Sequence, residues 1–236
     1  MYILGIETST MTGSVAICTE ERLIAEYTLN TKATHAERLL TAIEHVVQST
    51  SLTIRDLDGI AVAKGPGSFT GLRIGVTTAK SLAYSIQKPI VAVSSLDALA
   101  SQYLYSDRLL CPFLDARKKE VYTAFYRNTG AHIQRLSEYA VIAPHNVFHE
   151  IHEPVVFLGD GVAPYRHQID EALGELAYFA DPAHLLPRGS LVAEIGAKRL
   201  LQGEADDCFA LTPFYLRKSD AEIHWENANP RRSENE

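Results

Sequence analysis

The sequence predicts an α/β protein of two lobes built on one repeated plan, and three observations predict it. Short apolar runs with the spacing of buried strands alternate with longer stripes of helical period. The order three strands, helix, strand, glycine turn, helix occurs twice, offset by about 100 residues. Each repeat carries its glycine turn at the same point, Gly65-Pro66-Gly67 in the first and Gly159-Asp160-Gly161 in the second.

Taken in order, Tyr2–Ile6, Ser14–Thr19 and Leu23–Leu29 read as strands, with Glu20-Glu21 at a tight turn. His35 to Val47 carries apolar residues at 36, 39, 40, 43, 46 and 47, a helical stripe. The run 59–63 is a buried strand, followed by the glycine turn and a proline-free helix over 70–86. Ile90–Val93 is a further strand, and Ser94 with Asp97 opens a helix as a capping box. In the second half, Leu109–Leu114 and Val121–Tyr126 are strands around the polar loop Asp115–Glu120, and Asn128-Thr129-Gly130 turns into a third, Ala131–Leu136. Pro144 to Ile151 reads as a short helix, Pro154–Leu158 as a strand, and about 164–173 as the helix after the second glycine turn. Leu191 to Leu201 is one more amphipathic helix. Two such halves fit the duplicated fold of actin, the sugar kinases and Hsp70 (ASKHA, ribonuclease H-like), whose lobes embrace a nucleotide. The expected division is a first lobe over 1–103, joined by the helix at about 190–202, a second lobe over 104–217, and a polar tail over 218–236. The tail is expected to be disordered unless a partner holds it, with Trp225 as an anchor.

Of 236 residues, 46% are hydrophobic and 22% charged, which is ordinary for a globular protein able to bury a good core. No apolar run approaches a membrane span, and no signal peptide is expected before Met1-Tyr2-Ile3. Cys18, Cys111 and Cys208 are widely spaced and odd in number, which predicts buried free thiols in a reducing cytoplasm. A net charge of −7 argues against the chain holding RNA alone, since phosphate binding draws on clustered Lys and Arg.

The stretch Lys64 to Gly75 sits between a strand and a helix. Free N–H groups and the positive end of the helix dipole can hold an anion there, so Gly65, Gly67 and Ser68, and by repetition Gly159 and Gly161, are candidate nucleotide or anion contacts. A tight turn with close helix packing is the other reading. The Gly-Lys-Ser/Thr ending of a P-loop is missing, and Ser68 stands one residue too far from the next glycine for a nucleophile elbow. Glu7 follows the first strand where superfamily enzymes keep an acid near the nucleotide's metal; a hydrogen-bonded loop carboxylate is the alternative. His145, His149 and His152, at i, i+4 and i+7, would share one side of a continuous helix, as metal ligands or as a solvated face. No catalytic or metal-ligating set is assigned.

Gly-Pro-Gly-Ser-Phe-Thr-Gly-Leu-Arg-Ile-Gly at 65–75 resembles the signature of the TsaB family, bacterial partners in making threonylcarbamoyladenosine on tRNA. Ile6-Glu7-Thr8-Ser9, His35-Ala36-Glu37-Arg38-Leu39-Leu40 and Asp115-Ala116-Arg117-Lys118-Lys119-Glu120-Val121-Tyr122 match in the right order, with Tyr215-Leu216-Arg217 as a late echo. The resemblance implies a non-catalytic scaffold subunit. It would pair with a TsaD-type catalytic subunit and act with a TsaE-type ATPase to transfer a threonylcarbamoyl group to N6 of the adenosine beside the anticodon. It would meet tRNA only through the complex, dimerise with itself when alone, and carry no cofactor of its own, with a nucleotide at the partner interface as the candidate exception. His35 is followed at i+4 by Leu39, so the paired-histidine metal motif of TsaD does not carry over. An ATP-dependent small-molecule kinase or a metallopeptidase-like enzyme of the same superfamily is the alternative. The helices at 35–47 and 70–86 are expected to present Leu39, Ile43, Val46, Leu72, Gly75, Val76 and Ala79 as an apolar patch for the partner, with Gly71, Gly75, Ala79 and Ala83 as a flat strip for a neighbouring helix. Coverage of that patch by the chain's own second lobe is the other reading.

Overall fold

The computed structural model describes residues 1–31, 35–130, 132–218 and 220–229. Its first sheet has strands in the order β3-β2-β1-β4-β5. These are β1 (Ile3–Glu7), β2 (Thr12–Cys18), β3 (Leu23–Asn30), β4 (Gly59–Gly65) and β5 (Ile90–Ser94). β1, β2 and β3 form an antiparallel meander, and β4 and β5 join parallel to β1. Every residue of β1 and β5 is buried, because helices cover both faces of this sheet. On one face lie α1 (His35–Gln48) and α2 (Phe69–Ile86), which bury Leu39, Ile43, Val46, Val76 and Ala79 against Leu4, Val15 and Val62. On the other lies α6 (Gly189–Leu201), whose Val192, Ala193 and Ala197 pack on Ile3, Ala16 and Ala61. A Cβ on Gly5 would collide with the Gly189 carbonyl, so α6 touches the strand backbone itself. Its first turn is held by Glu26 of β3, which accepts bonds from Arg188, Ser190 N (3.0 Å) and Ser190 Oγ (2.7 Å); an acid at a helix N-terminus is favoured by the dipole.

The second sheet repeats this topology: its main path runs β10-β7-β6-β11-β12. β6 (Leu109–Arg117), β7 (Glu120–Thr123) and β10 (Ala140–Ile142) are antiparallel, and β11 (Val155–Leu158) and β12 (Ala177–Phe179) run parallel to β6. The strand expected over Val121–Tyr126 is two strands, broken at Ala124-Phe125. Its end becomes β8 (Tyr126–Asn128), which pairs with β6 at Leu110 and with β9 (Ile133–Arg135). The third strand of the plan is therefore β10 rather than the 131–136 segment, and the β8–β9 hairpin is an insertion; Ala131 lies outside the described residues. The connecting helices are α3 (Ser95–Ala100), α4 (Pro144–His149) and α5 (Val162–Leu173).

Two further expectations about elements are corrected. Ser94 caps α3 by accepting from Asp97 N (3.4 Å), but Asp97 does not return the bond: its carboxylate accepts from the hydroxyls of Tyr126 (2.7 Å) and Tyr139 (2.8 Å). The polar tail is helical over α7 (Asp220–Ala228), where Ala and Glu favour helix, and Trp225 there is half exposed; residues 230–236 lie outside the described residues.

The residues expected at an exposed partner patch, Leu39, Ile43, Val46, Leu72, Gly75, Val76 and Ala79, are all buried within their own lobe. The stripe on each helix is as wide as it is because it meets the sheet and the other helix together. The glycine strip faces inward too. A Cβ at Gly71 would strike the Thr8 carbonyl and one at Gly75 the Thr8 hydroxyl, so these glycines admit the β1–β2 loop rather than a foreign helix. What α1 and α2 show to solvent includes Leu40, Thr77, Ser81 and Tyr84 beside the charged Glu37, Arg38, Glu44 and Arg73. Cys18 and Cys111 are buried free thiols, each pushed up to about 12 by burial, and Cys208 is a half-buried one.

Candidate functional site

The carboxyl ends of both parallel strand sets open onto one cleft of about 540 Å³ between the sheets. Each half supplies a glycine at the end of its fourth strand, Gly65 with φ 116° and Gly159 with φ 122°, a conformation side chains resist. Past these turns the two halves bring Gly67, Ser68 and Thr70 from the first lobe, and Asp160 from the second, to the cleft wall. Gly65, Gly159 and Gly161 do not line it. Gly161 donates its N–H to the Phe113 carbonyl (2.9 Å), and Cβ atoms at Gly159 or Gly161 would crowd that carbonyl, so this pair serves close packing of the turn on β6.

The first glycine loop is stitched to the β1–β2 loop. Ser68 N donates to the Ser9 carbonyl (2.6 Å), Thr8 Oγ1 donates to the Gly71 carbonyl (2.8 Å), and Gly67 has no room for a Cβ beside Ser9. Ser68 Oγ caps α2 by accepting from Gly71 N (3.3 Å), which uses one of the donors an anion would want. His35 opens α1 and holds the same loop through Nε2 and the Thr10 carbonyl (2.7 Å).

Glu7 lies at the base of this arrangement and is fully buried. Its Oε1 accepts from Ser9 N (2.5 Å), and its Oε2 has no hydrogen-bond partner among the described residues. Burial raises its pKa to about 7, and the charge of Asp160 across the cleft adds to the rise. Asp160 is itself raised, mainly by burial and further by Asp115, although it accepts a bond from Asp115 N (3.0 Å). A carboxylate folded onto its own loop amide is the hydrogen-bonded reading of Glu7.

A strap closes one side of the cleft. Asp206 bonds to β5 through N to the Ile90 carbonyl (2.8 Å), and Lys80 Nζ donates to the carbonyls of Phe209 (3.0 Å) and Leu211 (2.8 Å). Phe214 N then bonds to the Lys64 carbonyl (2.7 Å), and Tyr215 stacks on Phe69 at 4.0 Å. Arg217 reaches the second lobe and pairs with Glu120 (3.2 Å). The cleft therefore carries Arg117, Arg217 and Lys218 beside Asp115 and Asp160.

The histidines do not assemble. α4 ends at His149, so His152 lies off the helix, and all three are exposed; the rings of His145 and His149 stand 6.5 Å apart. Among the described residues, no three His, Cys, Asp or Glu side chains converge in a metal-binding arrangement.

The family model described as TsaD, tRNA N6-adenosine threonylcarbamoyltransferase, matches residues 22–225. A tRNA threonylcarbamoyladenosine biosynthesis protein TsaB of Bacillus subtilis is 37% identical over 95% of this chain and 98% of its own length. The chain belongs to the TsaB family. The Escherichia coli TsaB is 28% identical over 94% of this chain and 96% of its own. Among solved structures, YeaZ from Pseudomonas aeruginosa matches with a TM-score of 0.77 at 26% identity, over 91% of this chain and 99% of that one. An activator of 2-hydroxyisocaproyl-CoA dehydratase from Clostridium difficile, with bound ADPNP, matches at TM-score 0.52 and 12% identity over 88% and 99%. That last likeness is one of fold, and with it the duplicated actin, sugar-kinase and Hsp70 architecture holds for this TsaB-family chain.

The four TsaB-like stretches prove to be one assembly. Glu7–Ser9, His35, Gly67–Gly71 and Asp115–Arg117 come together at the cleft or its base, and Tyr215–Arg217 straps it. Sequence reasoning did not assign Asp160, Arg117, Arg217 or Lys218 to the site. The late echo at Tyr215-Leu216-Arg217 was the signal for the strap, and the middle residue of the second glycine turn was the signal for Asp160.

Proposed function

We propose that the chain is the non-catalytic scaffold subunit of a tRNA threonylcarbamoyladenosine-forming complex, paired with a TsaD-type catalytic subunit and served by a TsaE-type ATPase. Membership of the TsaB family supports the pathway. The observation that carries the non-catalytic reading is Glu7. A superfamily kinase needs its β1–β2 acid facing the nucleotide's metal, and here the acid is fully buried and bonded to Ser9 N. The isolated chain holds no resident cofactor, and a nucleotide in the complex would sit where Gly67 and Ser68 meet a partner. tRNA is reached through the complex, and the working compartment is the cytoplasm; no described helix is long and apolar enough to cross a membrane.

The domains divide as 1–103 with α6, and 104–217. The partner surface lies on the outward sides of α1 and α2, around Leu40, and the same surface pairs two copies when the catalytic subunit is absent. Co-expression of this chain with the TsaD-type protein of the same cell tests the proposal. Co-elution in fixed ratio, and modification activity only from the pair, is the expected result; stoichiometric ATP turnover by this chain alone would overturn it.

A further inference from the structure

We propose that the β6–β7 turn is an RNA-contacting arm: Lys118 and Lys119 at its tip, with Arg117, Arg217 and Lys218 behind them on the cleft rim, take the phosphate backbone of a structured RNA. This rests on the reading of the chain as a subunit of a tRNA-modifying complex. Arg117 pairs with Glu120 across the hairpin, leaving Lys118-Lys119 as a two-residue tip. Arg117, Lys118 and Lys119 all have positive φ, at 63°, 53° and 62°. A two-residue turn with positive φ at both positions favours Asn-Gly, and lysine is a poor local choice at either one. The backbone does not explain the lysines, so their side chains must.

The second observation is independent of the turn. The strap, about a hundred residues later, brings Arg217 against Glu120 (3.2 Å) and places Lys218 on the same cleft as Arg117. Two distant stretches thus set three cations, Arg117, Arg217 and Lys218, on the cleft of a protein whose net charge is −7, with Lys118 and Lys119 at the tip of the turn that carries Arg117. Arg117, Lys118, Lys119 and Lys218 are exposed. The acids among them are Asp115, Asp160 and Glu120; Asp115 and Glu120 form partly exposed ion pairs with Arg117 and Arg217, whose guanidinium groups can exchange a carboxylate for a phosphate.

The test uses the full chain with its catalytic subunit and measures equilibrium tRNA binding against salt. Lys118→Asn with Lys119→Gly removes both charges while supplying the residues the turn prefers, so it keeps the hairpin. The expected result is unchanged co-elution, binding weakened about ten-fold, and a slope of log K on log salt shallower by about 1.5 to 2. Lys118→Arg with Lys119→Arg should keep both affinity and slope. Full affinity and slope in the Asn-Gly variant would overturn the proposal. So would loss of co-elution in that variant, which would make the turn a contact for a protein surface. Failure of the unaltered chain to co-elute would instead sink the scaffold reading.

Discussion

Glu7 shows how one buried carboxyl sets a pH dependence. Its pKa rises from the usual 4.5 to about 7, chiefly through burial, so the folded protein holds this proton where the unfolded chain has lost it. Below the ordinary carboxylate range both states are protonated and burial does no harm. As pH rises through about 7 the folded state must accommodate the charge, and stability is lost. Glu7→Gln keeps an acceptor for Ser9 N without the charge. We expect its stability to match the parent near pH 4.5 and to exceed it at pH 8 by on the order of 3 kcal/mol, measured by urea unfolding at both pH values; parallel curves would contradict this. Gly71 is the second residue whose environment decides its role. With the Thr8 carbonyl against its α-carbon, Gly71→Ala should cost about 3 kcal/mol, lowering the melting temperature by roughly 10 °C. Gly67→Ala, hard against Ser9, should fall in the same direction, which makes it a folding variant before it is an activity variant.

At the scale of elements, α1 and α2 each have two distinct faces. Val76 and Ile43 lie in the core, at 2% and 5% exposure, whereas Leu40 is 64% exposed on the outer side of α1. Val76→Arg would bury an unpaired charge and should leave no cooperative thermal transition. Leu40→Arg should melt within about 0.5 kcal/mol of the parent, as surface changes do, yet lose self-pairing and co-elution with the catalytic subunit. A Leu40→Arg protein that still pairs, read by light scattering, would remove these helices from the interface. The elements themselves were largely legible. Helical stripes at 35–47 and 70–86 and buried runs at 59–63 and 90–93 match α1, α2, β4 and β5, because period and burial are local properties of the chain. β10 and β12 were not, since three-residue strands carry too little pattern to stand out before a neighbour pairs with them.

For the whole molecule, chain order and spatial order part company at α6. The first sheet is buried on both faces only because this helix returns from residues 189–201 to pack on β1, β2 and β4. A fragment spanning 1–103 would expose Ile3, Ala16, Ala61 and Val91 on one face of the sheet. We expect it to show no cooperative melt by circular dichroism, while the full chain melts cooperatively. A stable, monomeric fragment would show that α6 is dispensable. The strap adds a second long-range tie, from Lys80 and Lys64 in the first lobe to Glu120 in the second, so cleft geometry depends on residues 206–217.

The sequence by itself determined the duplicated α/β plan, the position of both glycine turns and the TsaB likeness. Each of these is written in short windows of period, glycine placement or motif. Only the tertiary structure decided which way those features face. Gly71 and Gly75 looked like a strip for another helix and turned out to house Thr8, since a glycine's lack of a side chain does not say which backbone fills the space. Likewise Leu39, Ile43 and Val76 read as a surplus apolar face until the sheet and the neighbouring helix covered them together. Charge behaved the same way: a net of −7 concealed Arg117, Arg217 and Lys218 gathered on one cleft by two stretches about a hundred residues apart. Local pattern records what a residue is, and burial and charge environment depend on what the rest of the chain brings to it.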